Sequence, residues 1–374
     1  MYQFREFLPP DTIAGSYAPD DVLLLLKEVR VAATAVEEKE AAIQSGRRHY
    51  SEMISDEARP DALYMDLFRQ AWDEGRERFA RDTLAVAEAI ATEVQAGRLP
   101  ARVTLCSLVR AGLPLGVLLH RALRDMGVDS AHFGVSIIRD RGLDMQAMNF
   151  IARHRDPDGI IFVDGWTGKG AIRGELDRSW TGATGRRARL AVLADPAGIA
   201  DLSGSREDWL IPTGILGANV SGLVSRSILS ADVIGPGDFH GSMPAGHLAD
   251  LDISRAFVDD IHAAMRRPAA RCAPAHTSVP CPTAREIQST AARAAVQAVH
   301  DAFGIDNPNR VKPGIAEATR AVLRRKPDLV LVRDPDDADL RALMHLCRTA
   351  GVPVSTRPDL TGPYRAVTLI ARTS

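Results

Sequence analysis

The chain of 374 residues has few cysteines, no long apolar run and almost no net charge. Its four cysteines (Cys106, Cys272, Cys281 and Cys347) are scattered without a CxxC pair, which argues against a zinc knuckle or a disulfide framework and suits a reducing cytoplasm. No apolar run approaches the ~18 residues of a membrane span, so we expect no membrane partner. Arg5 and Glu6 interrupt what would be a signal peptide's apolar segment, so we predict a cytoplasmic protein.

The near-neutral average hides a local asymmetry. The formal net charge is −2, but residues 308–374 carry 12 Lys and Arg against 7 Asp and Glu. The average charge therefore gives no global attraction to nucleic acid or membrane, and the positive excess is confined to the C-terminal segment. The length also exceeds that of one ordinary domain. We predict a domain at 1–265 with its core at about 98–235, a linker plus helix at 266–306, and a small domain at 307–374.

Strand and helix patterns alternate through the middle of the chain. Helical spacing predicts helices over 20–45 and 60–97, and again over 113–126. Short apolar runs at 103–109, 132–138, 159–166 and 189–195 predict strands. The expected fold class is therefore α/β, with a doubly wound, mainly parallel sheet, a helical N-terminal region and a small α/β domain at the C-terminus. Ligands of such sheets bind beyond the carboxyl ends of the strands.

Two loops at those strand ends are candidate phosphate sites. In the first, Asp164 ends a strand and is followed by Thr167, Gly168, Lys169 and Gly170 before a helix. Glycine backbone, a hydroxyl, an ammonium group and a helix N-terminus all suit an anion, although a plain structural turn is the alternative. The Walker A spacing is absent. In the second loop, Arg110, Ala111 and Gly112 combine a guanidinium fork with small residues that allow close approach.

These loops resemble those of a known family. FVDGWTGKG is similar to the donor loop of type I phosphoribosyltransferases, and VRAGLP to their pyrophosphate loop. The resemblance is closest to the phosphoribosyltransferase-like family of bacterial stress and tellurium resistance, some of whose members are labelled cysteine protease StiP. It covers about residues 15–265 and includes HYSEM, RDRGLD and SGLVSRSIL. Gly165 stands where transferases have a second acid.

The resemblance implies a reaction and a ligand set. It implies transfer from a phosphoribosyl pyrophosphate-like donor to an unknown acceptor, with Asp164 as ribose and magnesium (Mg2+) ligand. Residues 167–170 would hold the 5-phosphate, and Arg110, Ala111 and Gly112 the pyrophosphate. Asp140 and Asp144 would stabilise an oxocarbenium-like ribose, together with Asp164, and a solvated charged turn is the alternative for the first two. Tyr50, Glu52, Ser221, Ser225 and Arg226 would line the acceptor pocket.

The C-terminal 65 residues resemble a second family, the L7Ae/Pelota RNA-binding domains. A helix that opens with glycine among cationic residues suits a nucleic-acid backbone, although such a composition by itself is more often only a solvated basic helix. The RNA-contacting positions implied are Lys312, Gly314, Glu317, Thr319 and Arg320, with structured RNA as the partner. Ala316 stands where that family usually has Asn.

Three functional hypotheses remain open at this point. The first is the transferase coupled to RNA binding in a stress response, and the second is a catalytically silent nucleotide or RNA sensor on the same scaffold. A cysteine protease is less favoured, because Cys106 lies inside the apolar run VTLCSLV, where burial opposes thiolate formation. A homodimer is considered, although the sequence does not determine the oligomeric state.

Overall fold

The computed structural model describes residues 2–267, 281–325 and 327–371. Its α-helices are α1 (Val36–Gln44), α2 (Ala62–Gln95), α3 (Leu113–Asp125), α4 (Met145–His154), α5 (Ala171–Leu176), α6 (Gly182–Thr184), α7 (Ser254–Met265), α8 (Pro282–Phe303), α9 (Ile315–Arg324), α10 (Arg341–Ala350) and α11 (Pro358–Thr361). Its strands are β1 (Leu23–Leu24), β2 (Lys27–Glu28), β3 (Arg102–Leu108), β4 (Asp129–Val135), β5 (Ile137–Ile138), β6 (Gly142–Leu143), β7 (Ile160–Trp166), β8 (Leu190–Ala194), β9 (Leu202–Ser205), β10 (Gly241–Ser242), β11 (Val311–Pro313), β12 (Pro327–Val332), β13 (Val354–Thr356) and β14 (Ala366–Ile370). We call residues 2–267 the N-terminal unit and residues 281–371 the C-terminal unit.

The N-terminal unit is built on a parallel six-stranded sheet in the order β1-β4-β3-β7-β8-β9. In its centre Cys106 of β3 pairs with Phe133 of β4 and Phe162 of β7. Helices cover both faces, because α2, α3 and α7 pack on one apolar cluster and α4 and α5 on another. The predicted doubly wound α/β class and its four strands are confirmed.

Helix α2 shows why the helical spacing over 60–97 is a reliable signal. Asp61 caps its N-terminus by accepting a hydrogen bond from the backbone N–H of Tyr64 at 2.7 Å. Buried side chains such as Phe68, Phe79 and Ile90 recur along one face and enter the core. The remaining face is charged and exposed, so the amphipathic pattern directs the helix onto the sheet.

The predicted helix over 20–45 is wrong for its first half. The structure places two short strands, β1 and β2, before α1 begins at Val36. Residues Val22–Leu26 are all buried, and Leu23 and Leu24 pair in parallel with Phe133 and Gly134 of β4. A short run of consecutive apolar residues does not distinguish a buried helix from a buried strand, and here the free edge of the sheet decides it.

The C-terminal unit is a four-stranded sheet in the order β11-β14-β12-β13. Helices α9 and α10 pack on one face, and α8 contributes Ala292 and Val299 to the apolar cluster on the other. The expected small α/β fold is confirmed. The predicted segment of linker plus helix at 266–306 is described only in part: residues 268–280 lie outside the described residues, and the helix is α8, which begins at Pro282.

The two units share one apolar core. Ile315, Ala318 and Val322 of α9 belong to the same buried cluster as Trp166, at the carboxyl end of β7. Polar contacts reinforce the junction: the Asp208 carboxylate accepts the backbone N–H of Ile315 at 3.0 Å. Helix α9 therefore lies over the strand ends where ligands of such sheets bind. The predicted domain boundaries stay a prediction.

Candidate functional site

The loop that follows β7 is turned toward protein rather than toward an open site. The Thr167 hydroxyl is buried, donates to Asp195 at 2.6 Å and accepts the backbone N–H of Ala197 at 3.1 Å. Gly170 adopts a positive φ of 93° and caps the short α5. The hydroxyl expected to bind a phosphate is thus satisfied within the N-terminal unit.

The C-terminal unit covers the rest of this loop. The Lys169 ammonium donates to the carbonyl oxygens of Pro308 and Val311, the latter at 3.1 Å. Burial lowers the pKa of Lys169 to about 7. The Tyr364 hydroxyl donates to the Gly168 carbonyl at 3.1 Å. In this arrangement the backbone and the ammonium group of the loop bind the neighbouring unit, and their phosphate role stays a prediction.

Asp164 is the carboxylate expected to bind magnesium. Its side chain accepts the backbone N–H of Gly165 at 2.8 Å, and burial raises the pKa of Asp164 to about 7. Among residues 2–267, 281–325 and 327–371 no group of three or more His, Cys, Asp or Glu side chains is placed to hold a metal ion. One carboxylate of this kind does not fit a resident metal site, so magnesium stays a prediction that depends on a phosphate ligand.

The other two predicted acids are not brought together. Asp144 is buried and caps α4 by accepting the backbone N–H groups of Gln146 and Ala147, and it also accepts that of His240 at 2.6 Å. Asp140 is exposed, with a positive φ of 66°, at the rim of a cavity. Asp144 therefore has a structural role, and of these two acids it is Asp140 that faces solvent beside the cavity.

The second predicted loop does lie beside the first, because β3 and β7 are neighbours. The Arg110 guanidinium is buried, donates to the Val224 carbonyl at 2.8 Å and forms a close ion pair with Glu57. Ala111 is half-buried against Gly165, and a Cβ at Gly112 would overlap the backbone of Val163. Gly112 thus allows two strand ends to approach, and Arg110 faces a cavity.

That cavity has a volume of about 840 Å³, lies between the two units and is lined by most of the residues expected to form the acceptor pocket. Tyr50, Glu52, Ser225 and Arg226 are in its wall, whereas Ser221 is not among its lining residues. Twelve cationic side chains line it against six acidic ones. The cationic residues are Lys39, Arg47, Arg48, Arg110, Arg139, Arg141, Arg226, Arg310, Lys312, Arg320, Arg324 and Arg325.

Four of these side chains form a group that we call the arginine cluster: the buried Arg110 and the half-buried Arg226, Arg320 and Arg324. Burial, together with repulsion from the other members, lowers the pKa of Arg110 well below its usual range and that of Arg320 to about 9. Burial lowers the pKa of Arg226 to about 10. Burial is the largest cause of each shift, and repulsion between the guanidinium groups adds to it.

The predicted RNA-contacting residues divide into two groups. Lys312, Glu317 and Arg320 line the cavity, and Arg320 stacks on the Trp166 ring at 4.5 Å. Gly314 and Thr319 face inward, since the Thr319 hydroxyl donates to the carbonyl of Ile315 within α9. Only the first group is accessible to a ligand in this arrangement.

The cysteines differ sharply in accessibility. Cys106 is fully buried in the middle of the sheet, and burial raises its pKa. Burial raises the pKa of Cys347 to about 11. Cys281 is exposed directly before α8, and hydrogen bonds from the first N–H groups of that helix lower its pKa. Cys272 lies outside the described residues.

Comparison with known proteins identifies the family. The family described as tellurite-like stress resistance cysteine protease StiP matches residues 15–262, and the PELOTA RNA binding domain matches residues 290–372. The chain is 43% identical over 378 residues to cysteine protease StiP of Acinetobacter baylyi (strain ATCC 33305 / BD413 / ADP1), covering 98% of this chain and 96% of that protein. The chain belongs to the StiP family. Its predicted association with stress and tellurium resistance and its PELOTA-type domain are confirmed.

Solved structures give a weaker likeness. The hypoxanthine-guanine phosphoribosyltransferase of Leishmania tarentolae with GMP is 18% identical over 34% of this chain and 72% of that chain, with a TM-score of 0.28. A Trypanosoma cruzi hypoxanthine phosphoribosyltransferase is 16% identical over 47% of this chain and 92% of that chain, with a TM-score of 0.29. Scores this low carry no argument about activity.

The predicted phosphoribosyltransferase is wrong. The matching family and the 43% identical relative are both named for a cysteine protease, the activity that the sequence reading least favoured. The expected phosphoribosyl donor has no support beyond that reaction, and the catalytic roles of Asp164, Asp140 and Asp144 stay a prediction. Within the described ranges, no helix combines the length and apolarity that a membrane crossing requires. The homodimer stays a prediction.

Proposed function

We propose that this chain is an RNA-binding stress-resistance protein whose interdomain cavity receives phosphate groups of RNA. The PELOTA-type match supports RNA as the partner. On the C-terminal unit the cationic side chains Arg310, Lys312, Arg320, Arg324 and Arg325 all line this cavity. By contrast, Arg365 on another face is neutralised by Asp337 at 3.1 Å. The cavity thus brings together five cationic side chains of this unit.

The arginine cluster is the observation that carries this proposal. Arg110 and Arg226 come from the N-terminal unit and Arg320 and Arg324 from the C-terminal unit, so the site exists only where both units meet. Guanidinium groups are suited to phosphate because their fork matches its oxygens and they lose hydration easily. The volume of about 840 Å³ falls in the range of small-ligand sites and admits single-stranded nucleotides rather than a duplex.

RNA binding is tested with a short single-stranded oligonucleotide and a hairpin of equal length, and fluorescence anisotropy measures the affinity of the protein for each. Arg320→Gln combined with Arg324→Gln is expected to weaken binding at least ~10-fold and to flatten its salt dependence, because two phosphate contacts are lost. Arg348→Gln is the matched control, since Arg348 is exposed on α10 and does not line the cavity. Equal affinity of the double variant and the control contradicts the proposal.

Thiol-dependent peptide hydrolysis is a second candidate, favoured by the name of the relative and by the state of Cys281. Cys106 is the sole cysteine within residues 15–262, yet its burial keeps it protonated and out of reach of a peptide. Among the cysteines that the structure describes, Cys281 is the one that combines exposure with a lowered pKa, the two properties that a nucleophilic thiol requires. We therefore assign any such activity to Cys281 rather than to Cys106.

Hydrolysis of a fluorogenic peptide library separates the cysteines. If the assignment is right, Cys281→Ala abolishes thiol-dependent cleavage, while Cys106→Ala and Cys272→Ala retain it. Cleavage that persists in Cys281→Ala removes Cys281 from consideration. RNA binding of Cys281→Ala should equal that of the wild type, because Cys281 does not line the cavity.

A further inference from the structure

Glu57 is the point where the two units meet on one carboxylate. It lies in the segment between the 3-10 turn Tyr50–Glu52 and α2. Its oxygens form a close ion pair with Arg110, lie 3.4 Å from the Arg324 guanidinium and accept the backbone N–H of Ala218 at 2.8 Å. Two guanidinium groups and one backbone N–H, from three distant parts of the chain, therefore converge on a single anionic group.

Charge around this point is not balanced. The arginine cluster contributes four positive charges, and the carboxylates that oppose them are Glu57 and Glu317 of the cavity and Asp164 outside it. Within the described residues, Nε of Arg110 and Nη1 of Arg226 are buried without a hydrogen-bond partner. Arg110 is only 5% exposed, so its vacant donor is unusual. The cluster has both the donors and the charge for an anion with more oxygens than one carboxylate.

We infer that Glu57 occupies a phosphate subsite of the cavity and that a phosphate group of the ligand displaces it. This inference rests on the proposed RNA-binding function and adds its specific anchor: Arg110, Arg324 and the Ala218 N–H. A phosphate group presents to these donors a pair of oxygens similar to that of the carboxylate. Its further oxygens can accept from Nε of Arg110, and its second negative charge offsets more of the cluster's positive charge. The source is either the end of an RNA chain or a free polyphosphate.

The position of Glu57 allows displacement. Its side chain is 23% exposed, whereas that of Arg110 is 3% exposed, so the carboxylate is the partner nearer to solvent. Glu57 lies outside the helices and strands, between Ile54, which bridges to Ala33, and Asp61, which caps α2. The neighbouring Asp56 is exposed and also lines the cavity, so a shifted Glu57 can reach solvent with it.

Inorganic tripolyphosphate is the probe, and calorimetric titration measures its affinity for the full chain. Glu57→Gln is expected to bind tripolyphosphate at least ~10-fold more tightly than the wild type, because the competing anion is removed. Asp56→Asn is the matched control: it removes one cavity carboxylate that pairs with no guanidinium group in the described part of the chain, and we expect less than about a twofold change. Arg324→Gln should weaken binding at least ~10-fold.

Two outcomes overturn the inference: Glu57→Gln binding no tighter than Asp56→Asn, or Arg324→Gln binding as well as the wild type. Melting temperatures are recorded for each variant, and if Glu57→Gln does not fold, the Arg324→Gln comparison decides alone. The RNA experiment fails separately. Tripolyphosphate binding that responds to Glu57 while RNA does not bind retains the phosphate subsite and rejects the RNA function.

Discussion

Asp208 links the two units, and its substitution gives a pH-dependent prediction. Its buried carboxylate accepts the backbone N–H of Ile315 at 3.0 Å and that of Arg365 at 2.7 Å. Burial nevertheless outweighs these hydrogen bonds and raises the pKa of Asp208 from 3.8 to about 6. The folded protein therefore prefers the neutral acid, and Asp208→Asn provides a side chain that is neutral at every pH.

The sign follows from proton linkage. Because the folded pKa is raised, the stabilisation present below pH ~4 is lost as the pH rises through ~6. At ~1.4 kcal/mol per pKa unit, the shift from 3.8 to about 6 corresponds to about 3 kcal/mol. The free energy of unfolding of Asp208→Asn should therefore rise by about 3 kcal/mol relative to the wild type between pH 4 and pH 7.5. Because Asn has one acceptor oxygen in place of two, the variant also loses one hydrogen bond, which lowers its free energy of unfolding by about 1 kcal/mol at both pH values.

Urea unfolding at pH 4, 5, 6 and 7.5 measures the difference in free energy of unfolding between Asp208→Asn and the wild type. The contributions of all other titrating groups are common to both proteins and cancel in this difference. Asp336→Asn is the control, since Asp336 is exposed in the same half of the chain. Its gap to the wild type should not change with pH. A gap for Asp208→Asn that stays constant within about 0.5 kcal/mol would falsify the assignment of a raised pKa at this junction.

Two further substitutions test the packing that positions the cavity. Gly112→Ala should lower the free energy of unfolding by about 3 kcal/mol or more, because the added Cβ would overlap the Val163 carbonyl. Gly174→Ala is the control: a Cβ there meets open space, so its melting temperature should be unchanged or slightly raised. Glu40→Gln should cost about 1–3 kcal/mol in urea unfolding, since it breaks a partly buried pair with Arg325 at 2.7 Å; Glu38→Gln, exposed on the same helix, is the control, and equal losses would refute a role for the pair.

Part of the fold follows directly from local sequence patterns. The four central strands, α2 and the alternating order of the sheet are legible because burial of a strand or a helix face imposes a period on neighbouring residues. The segment at Val22–Leu26 is the exception, since five buried apolar residues have no period and the edge of β4 decides their structure. The resemblance in the loops led to the correct family but to the wrong activity.

Only some residues of the candidate site can be predicted from the sequence. Arg110 and Arg320 stand out as cations beside glycine-bearing loops, and both line the cavity. Glu57 gave no signal, because nothing in its neighbourhood of the sequence marks a carboxylate that will pair with residues more than 50 positions away. The loop at 167–170 has the composition of a phosphate site. In the structure, however, the Lys169 ammonium and the Gly168 carbonyl form hydrogen bonds with the C-terminal unit.

The sequence by itself determined the α/β class, the family and the cationic character of the C-terminal unit, since each depends on the type and spacing of nearby residues. Tertiary structure alone decided which charges meet. Arg110 and Arg324 are separated by more than 200 residues, and Glu57 contacts both only because α9 packs over the strand ends. Electrostatic coupling depends on distance in space and on burial, and neither quantity is encoded in local spacing.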